Sequence, residues 1–244
     1  MPGLSAVVFL CAAAYSQTAD APHKFEVASI KPSAPNAPTP TQNSPAVFNL
    51  NATAKMLIQI GYNLHDYELA GGPKWMDTDF YLISAKAPAG EAPEDQKSRT
   101  ALNSERVRYL LEERFQFASH RETKSLKGYA LVVGKDGPKL KEIAHDDAKF
   151  RVRMGKGFIT TQGGAKVGLL ASILINDLQC PVVDETGLSG YYDLQLKYSK
   201  DETSADAGPT LLNALEEQLG LRLEPRRVPV PVLTIDRLER PTGN

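Results

Sequence analysis

Three consecutive residues, His120, Arg121 and Glu122, form the most chemically varied cluster in the sequence. On a β-strand, where side chains alternate between faces, His120 and Glu122 share one face and Arg121 points the other way. An imidazole oriented by a carboxylate can act as a general base, and a guanidinium can stabilise an oxyanion. The cluster therefore predicts a hydrolytic centre. The alternative is an exposed edge strand whose charges keep it soluble.

A second group of candidates surrounds a turn, where Asp184, Glu185 and Asp193 place three carboxylates within ten positions. Oxygen ligands of this kind suit a hard cation such as calcium, although their spacing is not that of an EF-hand. We therefore predict a calcium site from these three residues. The alternative is a turn whose acidic side chains bond neighbouring backbone amides and water.

Two aromatic residues are candidates to contact an acyl substrate. Trp75 follows a Gly-Gly-Pro-Lys turn and could line an acyl pocket, while Tyr192 begins an alternating apolar stretch. For both residues the alternative is ordinary core packing.

Other hydrolytic arrangements have weaker support. Gly187-Leu-Ser-Gly190 is one residue short of the Gly-x-Ser-x-Gly elbow of serine hydrolases, so Ser189 is interpreted as a turn residue. Cys180 precedes a proline in an apolar stretch, which favours a buried small hydrophobe over a nucleophile. The four histidines are widely separated and form no His-x-x-x-His pair, which argues against a dinuclear zinc lactonase.

The composition describes an ordinary globular protein. The 244 residues carry a net charge of −1 and 42% apolar residues, without the basic excess typical of nucleic-acid binding. Leu4 to Ala14 is an apolar run too short to span a bilayer, and small residues at Ala14 and Ser16 suit a signal peptidase. We therefore predict a signal peptide over 1–16, a secreted or periplasmic protein, and no transmembrane helix. After cleavage Cys180 would be the only cysteine, which precludes an intramolecular disulfide.

Hydrophobic periodicity predicts alternating helices and strands. The predicted helices are 54–62, about 93–115, 167–178 and 211–219. The predicted strands are 25–31, 80–85, 117–120, 129–133, 158–161, a short apolar strand that begins at Cys180, 192–198, a polar Arg-rich strand after Gly220, and 230–236.

Part of the pattern recurs along the chain. Leu111-Glu-Glu-Arg-Phe115 matches Leu215-Glu-Glu-Gln-Leu219 at an offset of 104, and the same offset places Tyr129–Leu131 on Leu233–Ile235. A period this long does not suit a solenoid. We therefore predict an internally duplicated α+β protein with mixed and antiparallel sheets, whose halves, 17–150 and 151–244, pack as one body.

Several segments together resemble an exported, soil-associated protein family abundant in acidobacteria, and the resemblance covers nearly the whole mature chain in order. The segments are Phe25-Glu-Val-Ala-Ser-Ile-Lys-Pro32, Gly71-Gly-Pro-Lys-Trp75, Glu113-Arg-Phe115, His120-Arg-Glu-Thr123, Tyr129-Ala-Leu-Val-Val133 and Val183-Asp-Glu-Thr-Gly-Leu-Ser-Gly-Tyr-Tyr-Asp193.

The resemblance implies two classes of function. One is calcium-dependent opening of the lactone ring of N-acyl homoserine lactones, a quorum-quenching hydrolysis found among soil metagenome enzymes. The other is a non-catalytic envelope module, similar to the N-terminal modules of secretins and TonB-dependent receptors. Such a module would bind a peptide, a glycan or another protein through an exposed sheet edge.

Overall fold

The computed structural model describes residues 23–42, 44–199 and 208–241, so the predicted signal peptide lies outside the described residues. The helices are α1 (Ala54–Tyr62), α2 (Trp75–Thr78), α3 (Gln96–Phe115), α4 (Val167–Leu178) and α5 (Leu211–Ala214), the last continuing as a π-helical turn over Leu215–Leu219. The strands are β1 (Val27–Ser33), β2 (Val47–Thr53), β3 (Leu69–Gly71), β4 (Phe80–Lys86), β5 (Ala118–Val133), β6 (Glu142–Ile143), β7 (Arg151–Gly155), β8 (Phe158–Gln162), β9 (Val182–Asp184), β10 (Tyr191–Tyr192), β11 (Gln195–Lys197) and β12 (Leu221–Arg237).

The described strands form four sheets, namely a mixed sheet of four strands, two antiparallel sheets of three strands and an antiparallel pair. The central sheet has the order β3-β12-β5-β9, in which β12 and β5 are antiparallel and each is parallel to its outer neighbour. The flanking sheets have the orders β1-β4-β2 and β11-β8-β7, and β10 pairs with β6. The predicted α+β class with mixed and antiparallel sheets is confirmed.

The two central strands are longer than the apolar pattern predicts. We expected separate strands over 117–120 and 129–133, but β5 is continuous and pairs with β12 from Ala118 to Val133. The intervening Lys124 to Gly128 stretch has little apolar periodicity of its own. Its extended conformation is stabilised by hydrogen bonds from the partner strand, which lies about a hundred positions away.

This ribbon of β5 and β12 connects two separate hydrophobic cores. The first core contains Leu57, Ile83, Val107, Leu111, Phe115 and Phe117, among others. The second core contains Leu170, Leu174, Tyr192, Leu194, Leu196, Leu215 and Leu219, among others. β12 begins in the second core with Leu221 and Leu223 and ends in the first with Leu233 and Ile235. β5 runs the opposite way and reaches the second core at Leu131.

Local sequence explains where the main helices begin and end. Thr53 accepts a hydrogen bond from the Met56 amide at the start of α1, and Asp95 accepts one from the Ser98 amide at the start of α3. α1, α3 and α4 each end at a left-handed residue, which is Asn63, Gln116 and Gln179 respectively. The outer side of α1 includes an apolar residue, Met56, which is 41% exposed.

With the short α2 and β10 set aside, the segments β2 to β5 and β8 to β12 share the order strand, helix, strand, strand, helix and strand, while β1, β6 and β7 lie outside this order. Tyr129 of β5 pairs with β9, and Leu233 of β12, 104 positions later, pairs with β3 in the same parallel sense. A common origin of the halves, and the boundary at 150, remain predictions.

None of the described helices combines the length and hydropathy needed to cross a membrane.

Candidate functional site

The β5–β12 ribbon positions the predicted base. His120 lies opposite Thr234 in the antiparallel register, and its Nδ1 is 2.8 Å from Oδ1 of Asp236. The side chains of His120 and Asp236 are about half exposed, at 53% and 48%. A carboxylate at this distance fixes the ring orientation and favours the tautomer protonated at Nδ1, which leaves Nε2 as the basic nitrogen.

Glu122 shares this face, as alternation predicts, but it has other partners. Thr234 Oγ1 donates to Glu122 Oε1 at 2.6 Å, and the Lys124 ammonium lies 3.0 Å from the same oxygen. These two contacts hold the pKa of the Glu122 carboxyl below its usual value. Asp236, rather than Glu122, is therefore the carboxylate that orients His120.

Arg121 lies apart from this pair. It lines a cleft of about 710 Å³ between the C-terminal end of α1 and the N-terminal half of α3. Alternation along β5 directs Arg121 to the face opposite His120. The cleft is also lined by Gly61, Tyr62, Asn63, Gln96, Lys97, Thr100, Ala101, Ser104 and Arg108.

The two predicted substrate contacts belong to different cores. Trp75 packs against the first core, with the Arg240 guanidinium 5.0 Å from its ring centroid. Tyr192 is 6% exposed within the second core. Neither residue lines the cleft that contains Arg121.

The predicted calcium ligands are occupied by protein partners. Asp184 Oδ1 accepts hydrogen bonds from the Thr186 amide at 3.0 Å and the Thr186 hydroxyl at 2.7 Å. Glu185 lies 2.7 Å from Arg226, and Asp193 accepts a hydrogen bond from the Gly164 amide at 3.1 Å. In the part of the chain that the structure describes, no three His, Cys, Asp or Glu side chains converge as a metal site would require. The three predicted ligands thus bond to three different parts of the protein, and calcium binding remains a prediction.

Cys180 is partly buried, and burial raises the pKa of its thiol. A raised pKa lowers the thiolate fraction at neutral pH, which disfavours a nucleophilic role.

The free edge of β5 agrees with the alternative stated for His120, Arg121 and Glu122, an exposed edge strand whose charges keep it soluble. Tyr129 donates its amide to Pro181 and Leu131 accepts from the Glu185 amide, so the odd-numbered residues of β5 point their backbone groups away from β12. This outward row continues beyond the contact with β9. Its further members are all exposed and are Arg121, Thr123, Ser125 and Lys127. Within residues 23–42, 44–199 and 208–241, no strand pairs with this row.

The corresponding edge of β12 is closed by its sequence. Pro225, Pro229 and Pro231 occupy outward positions, opposite Tyr129, Ser125 and Thr123. Proline has no N–H, so this edge cannot present a regular row of donors to an added strand. The ribbon therefore has one edge able to accept a strand and one edge that is blocked.

Sequence inspection missed Asp236, Tyr62 and Arg108. Asp236 lies 116 positions from His120 and reaches it only through the pairing of β5 with β12. The guanidinium of Arg108 lies 5.9 Å from the Tyr62 ring centroid, a contact made by α3 against the end of α1. No local motif indicated either grouping.

These features define a mixed α+β protein in which two cores share one long ribbon, with an open strand edge beside a cationic cleft. A family model described as a protein of unknown function (DUF3738) matches residues 55–238, and the chain belongs to that family. No curated protein and no solved structure is significantly similar to it.

Proposed function

We propose that the chain is an extracytoplasmic binding module that takes up an extended peptide segment as an added strand on the open edge of β5. This proposal is supported by the outward-pointing residues of β5 from Arg121 to Lys127. They are exposed and have no strand partner among the described residues. Strand addition obtains affinity from main-chain hydrogen bonds and specificity from alternate side chains.

The charges near this edge favour an acidic segment. β5 carries Arg121, Lys124 and Lys127, and its single acidic residue, Glu122, is bonded to Lys124 and Thr234. Lysines on an edge also disfavour pairing between two copies of the chain, because that pairing would bring like charges together. An acidic partner meets no such repulsion.

The test is a Thr123→Pro variant. It removes one outward N–H and leaves the hydrogen bonds between β5 and β12 intact, because Thr123 points its backbone away from β12. Binding of fluorescein-labelled eight-residue peptides, with glutamate at alternate positions and a random mixture elsewhere, is measured by fluorescence polarisation. We expect binding to wild type and at least a tenfold loss in the variant.

Arg227→Pro is the matched control, since Arg227 occupies the equivalent outward position of β12, 104 residues after Thr123. The Arg227 guanidinium donates to the Ser125 carbonyl, so this variant also frees one acceptor of the open edge. It should therefore bind the peptides at least as tightly as wild type. Equal losses in both variants, or no binding by the wild-type protein, would contradict strand addition at β5.

A second candidate is the hydrolysis of N-acyl homoserine lactones, which the 2.8 Å contact between His120 and Asp236 supports. In this scheme His120 Nε2 takes a proton from water, and the resulting hydroxide attacks the lactone carbonyl carbon. The tetrahedral adduct breaks its bond to the ring oxygen, which takes the proton from His120 and becomes the alcohol, and the new carboxylic acid releases its proton to solvent as a carboxylate. The pair is solvent-exposed, and Arg121, the predicted oxyanion stabiliser, is directed to the other face.

This candidate is tested by following ring opening of a long-chain acyl homoserine lactone in a pH-stat, first with calcium and then with EGTA. Turnover that falls about a hundredfold or more in His120→Ala, the usual scale of general-base catalysis, would support it. An equal rate for the His120→Ala and wild-type proteins would exclude His120 as the base. Restoration by calcium after EGTA would identify a metal requirement.

A further inference from the structure

The open edge of β5 ends beside the cleft lined by Arg121. Arg121 is the outward residue of β5 that also belongs to this cleft, so the edge and the cleft meet at one side chain. The cleft volume of about 710 Å³ is within the range of small-ligand sites in proteins. It is large enough for a terminal residue and its carboxylate.

The described lining of the cleft is cationic. Lys97, Arg108 and Arg121 line it, and no Asp or Glu does so. The ring of Tyr62, with the Arg108 guanidinium 5.9 Å from its centroid, forms part of the wall. Guanidinium groups bind carboxylates through charge-assisted and often bidentate hydrogen bonds.

Strand direction decides which end of a bound peptide reaches the cleft. β5 runs from Ala118 at the cleft end to Val133, and β9 covers its edge from Tyr129 onward. A peptide that adds antiparallel to β5 over Lys127 to Arg121 therefore runs toward the cleft. Its last residue lies beside Arg121, whose side chain lines the cleft together with Arg108 and Lys97.

We infer that the cleft between α1, α3 and β5 is a receptor for the C-terminal carboxylate of an acidic peptide that adds antiparallel to β5. This inference rests on the proposed strand addition and specifies the class of ligand. The matching segment is an acidic C-terminal tail, and an internal segment of the same composition lacks the group that the cleft recognises.

The experiment compares two forms of the same glutamate-containing peptide mixture, one with a free C-terminal carboxylate and one with a C-terminal amide. We expect the free acid to bind wild type at least tenfold more tightly than the amide. Arg121→Gln should reduce this ratio to near one. Arg153→Gln, which alters an exposed arginine on β7 far from the edge in sequence, is the matched control and should leave the ratio unchanged.

Some outcomes would contradict only the carboxylate receptor, and others would also contradict strand addition at β5. Equal binding of acid and amide, with both lost in Thr123→Pro, would retain strand addition and overturn the carboxylate receptor. A preference for the acid that persists in Arg121→Gln would overturn the receptor as well. Failure of both peptide forms to bind wild type would overturn the inference together with the proposed function.

Discussion

The halves of the molecule have the same helix-then-strand order but differ at the edges of their long strands. In β5 the outward residues are Arg121, Thr123, Ser125 and Lys127. The positions 104 residues later in β12 are Pro225, Arg227, Pro229 and Pro231. At three of these four positions β12 has a proline where β5 has a residue with a backbone N–H donor. The two strands still pair along the whole ribbon. The comparison shows that strand pairing creates two equivalent edges and that side-chain identity decides which one is open.

The cleft is specific to one half as well. At the same offset, Arg108 corresponds to Leu212 and Arg121 to Pro225, so the second half lacks both guanidinium groups. Leu212 is 53% exposed in α5 and covers no equivalent cationic wall. The guanidinium groups of Arg108 and Arg121 therefore occur together with a free strand edge in the first half. The positions 104 residues later in the second half have neither feature.

The largest expected effect is on the cores, and it tests whether the halves fold as one unit. Phe115 and Leu219 occupy equivalent positions at the ends of α3 and α5, and they are 0% and 3% exposed. Truncation leaves a cavity, so Phe115→Ala should cost about 3–5 kcal/mol and Leu219→Ala about 2–5 kcal/mol. Because β12 contributes to both cores and pairs with β5 along its length, calorimetry should show a single unfolding transition in each variant.

The control is Leu212→Ala, at an exposed position of α5, which should change the free energy of unfolding by less than about 0.5 kcal/mol. Two separate transitions, with only one displaced in each core variant, would mean that the halves are independent domains.

A smaller effect is expected at the helix starts, where the halves differ in capping. Thr53 caps α1 through its hydroxyl, whereas Lys166, at the same place before α4, makes no capping hydrogen bond. Thr53→Ala should lower the free energy of unfolding by about 1 kcal/mol, and Lys166→Ser should raise it by up to about 1 kcal/mol. The Lys166 ammonium lies 5.5 Å from the Tyr191 ring centroid, and loss of this contact offsets part of the gain.

Urea unfolding measures both changes. Lys166→Ala serves as the control, because it removes the contact with Tyr191 without adding a cap. A serine variant no more stable than this alanine variant would show that α4 does not use a side-chain cap at this position.

The smallest effect concerns pH. His145 Nδ1 lies 2.8 Å from the Gly164 carbonyl and Nε2 lies 2.9 Å from Asp147, so both ring nitrogens face acceptors and the pKa of His145 is raised above its ordinary 6.5. The charged form is favoured by folding. The contribution of the charged His145 to the free energy of unfolding is therefore complete below pH 6.5. It is lost as pH rises through the folded-state pKa of His145. The reverse sign holds for Asp95, whose pKa is lowered by its bonds to Ser98.

Stability measured by urea unfolding from pH 3 to 9 separates the two groups. In His145→Gln, the free energy of unfolding should no longer decline on the alkaline side. In Asp95→Asn, it should lose part of its decline as pH falls through the folded-state pKa of Asp95. An unchanged alkaline slope in His145→Gln would show that this imidazole does not couple to folding.

Much of the secondary structure was predictable because it depends on local periodicity and capping. α1 and α4 begin and end at the predicted residues, and β4 extends the predicted strand by one residue. The alternation from Tyr192 to Tyr198 is confirmed, since Tyr192, Leu194, Leu196 and Tyr198 are all buried. The π-helical turn after Ala214 was not predicted, because an apolar helical pattern does not distinguish hydrogen-bond spacing within the helix.

The candidate site was less predictable than the elements that carry it. Alternation on β5 placed His120 and Glu122 on one face, as expected. The actual partner of His120 comes from a strand more than a hundred residues away, and Glu122 bonds to that same strand. Pair contacts of this kind depend on register, which the polar middle of β5 does not specify.

The sequence by itself determined the α+β class, most helix boundaries, and the three prolines that close one edge, because these follow from local periodicity and from the chemistry of single residues. Tertiary structure alone decided that β5 and β12 are continuous and pair with each other. The same pairing placed Asp236 beside His120, and the packing of α3 on α1 placed Arg108 near Arg121. The physical reason is that side chains far apart in sequence become neighbours only through strand register and helix packing, which depend on the whole chain.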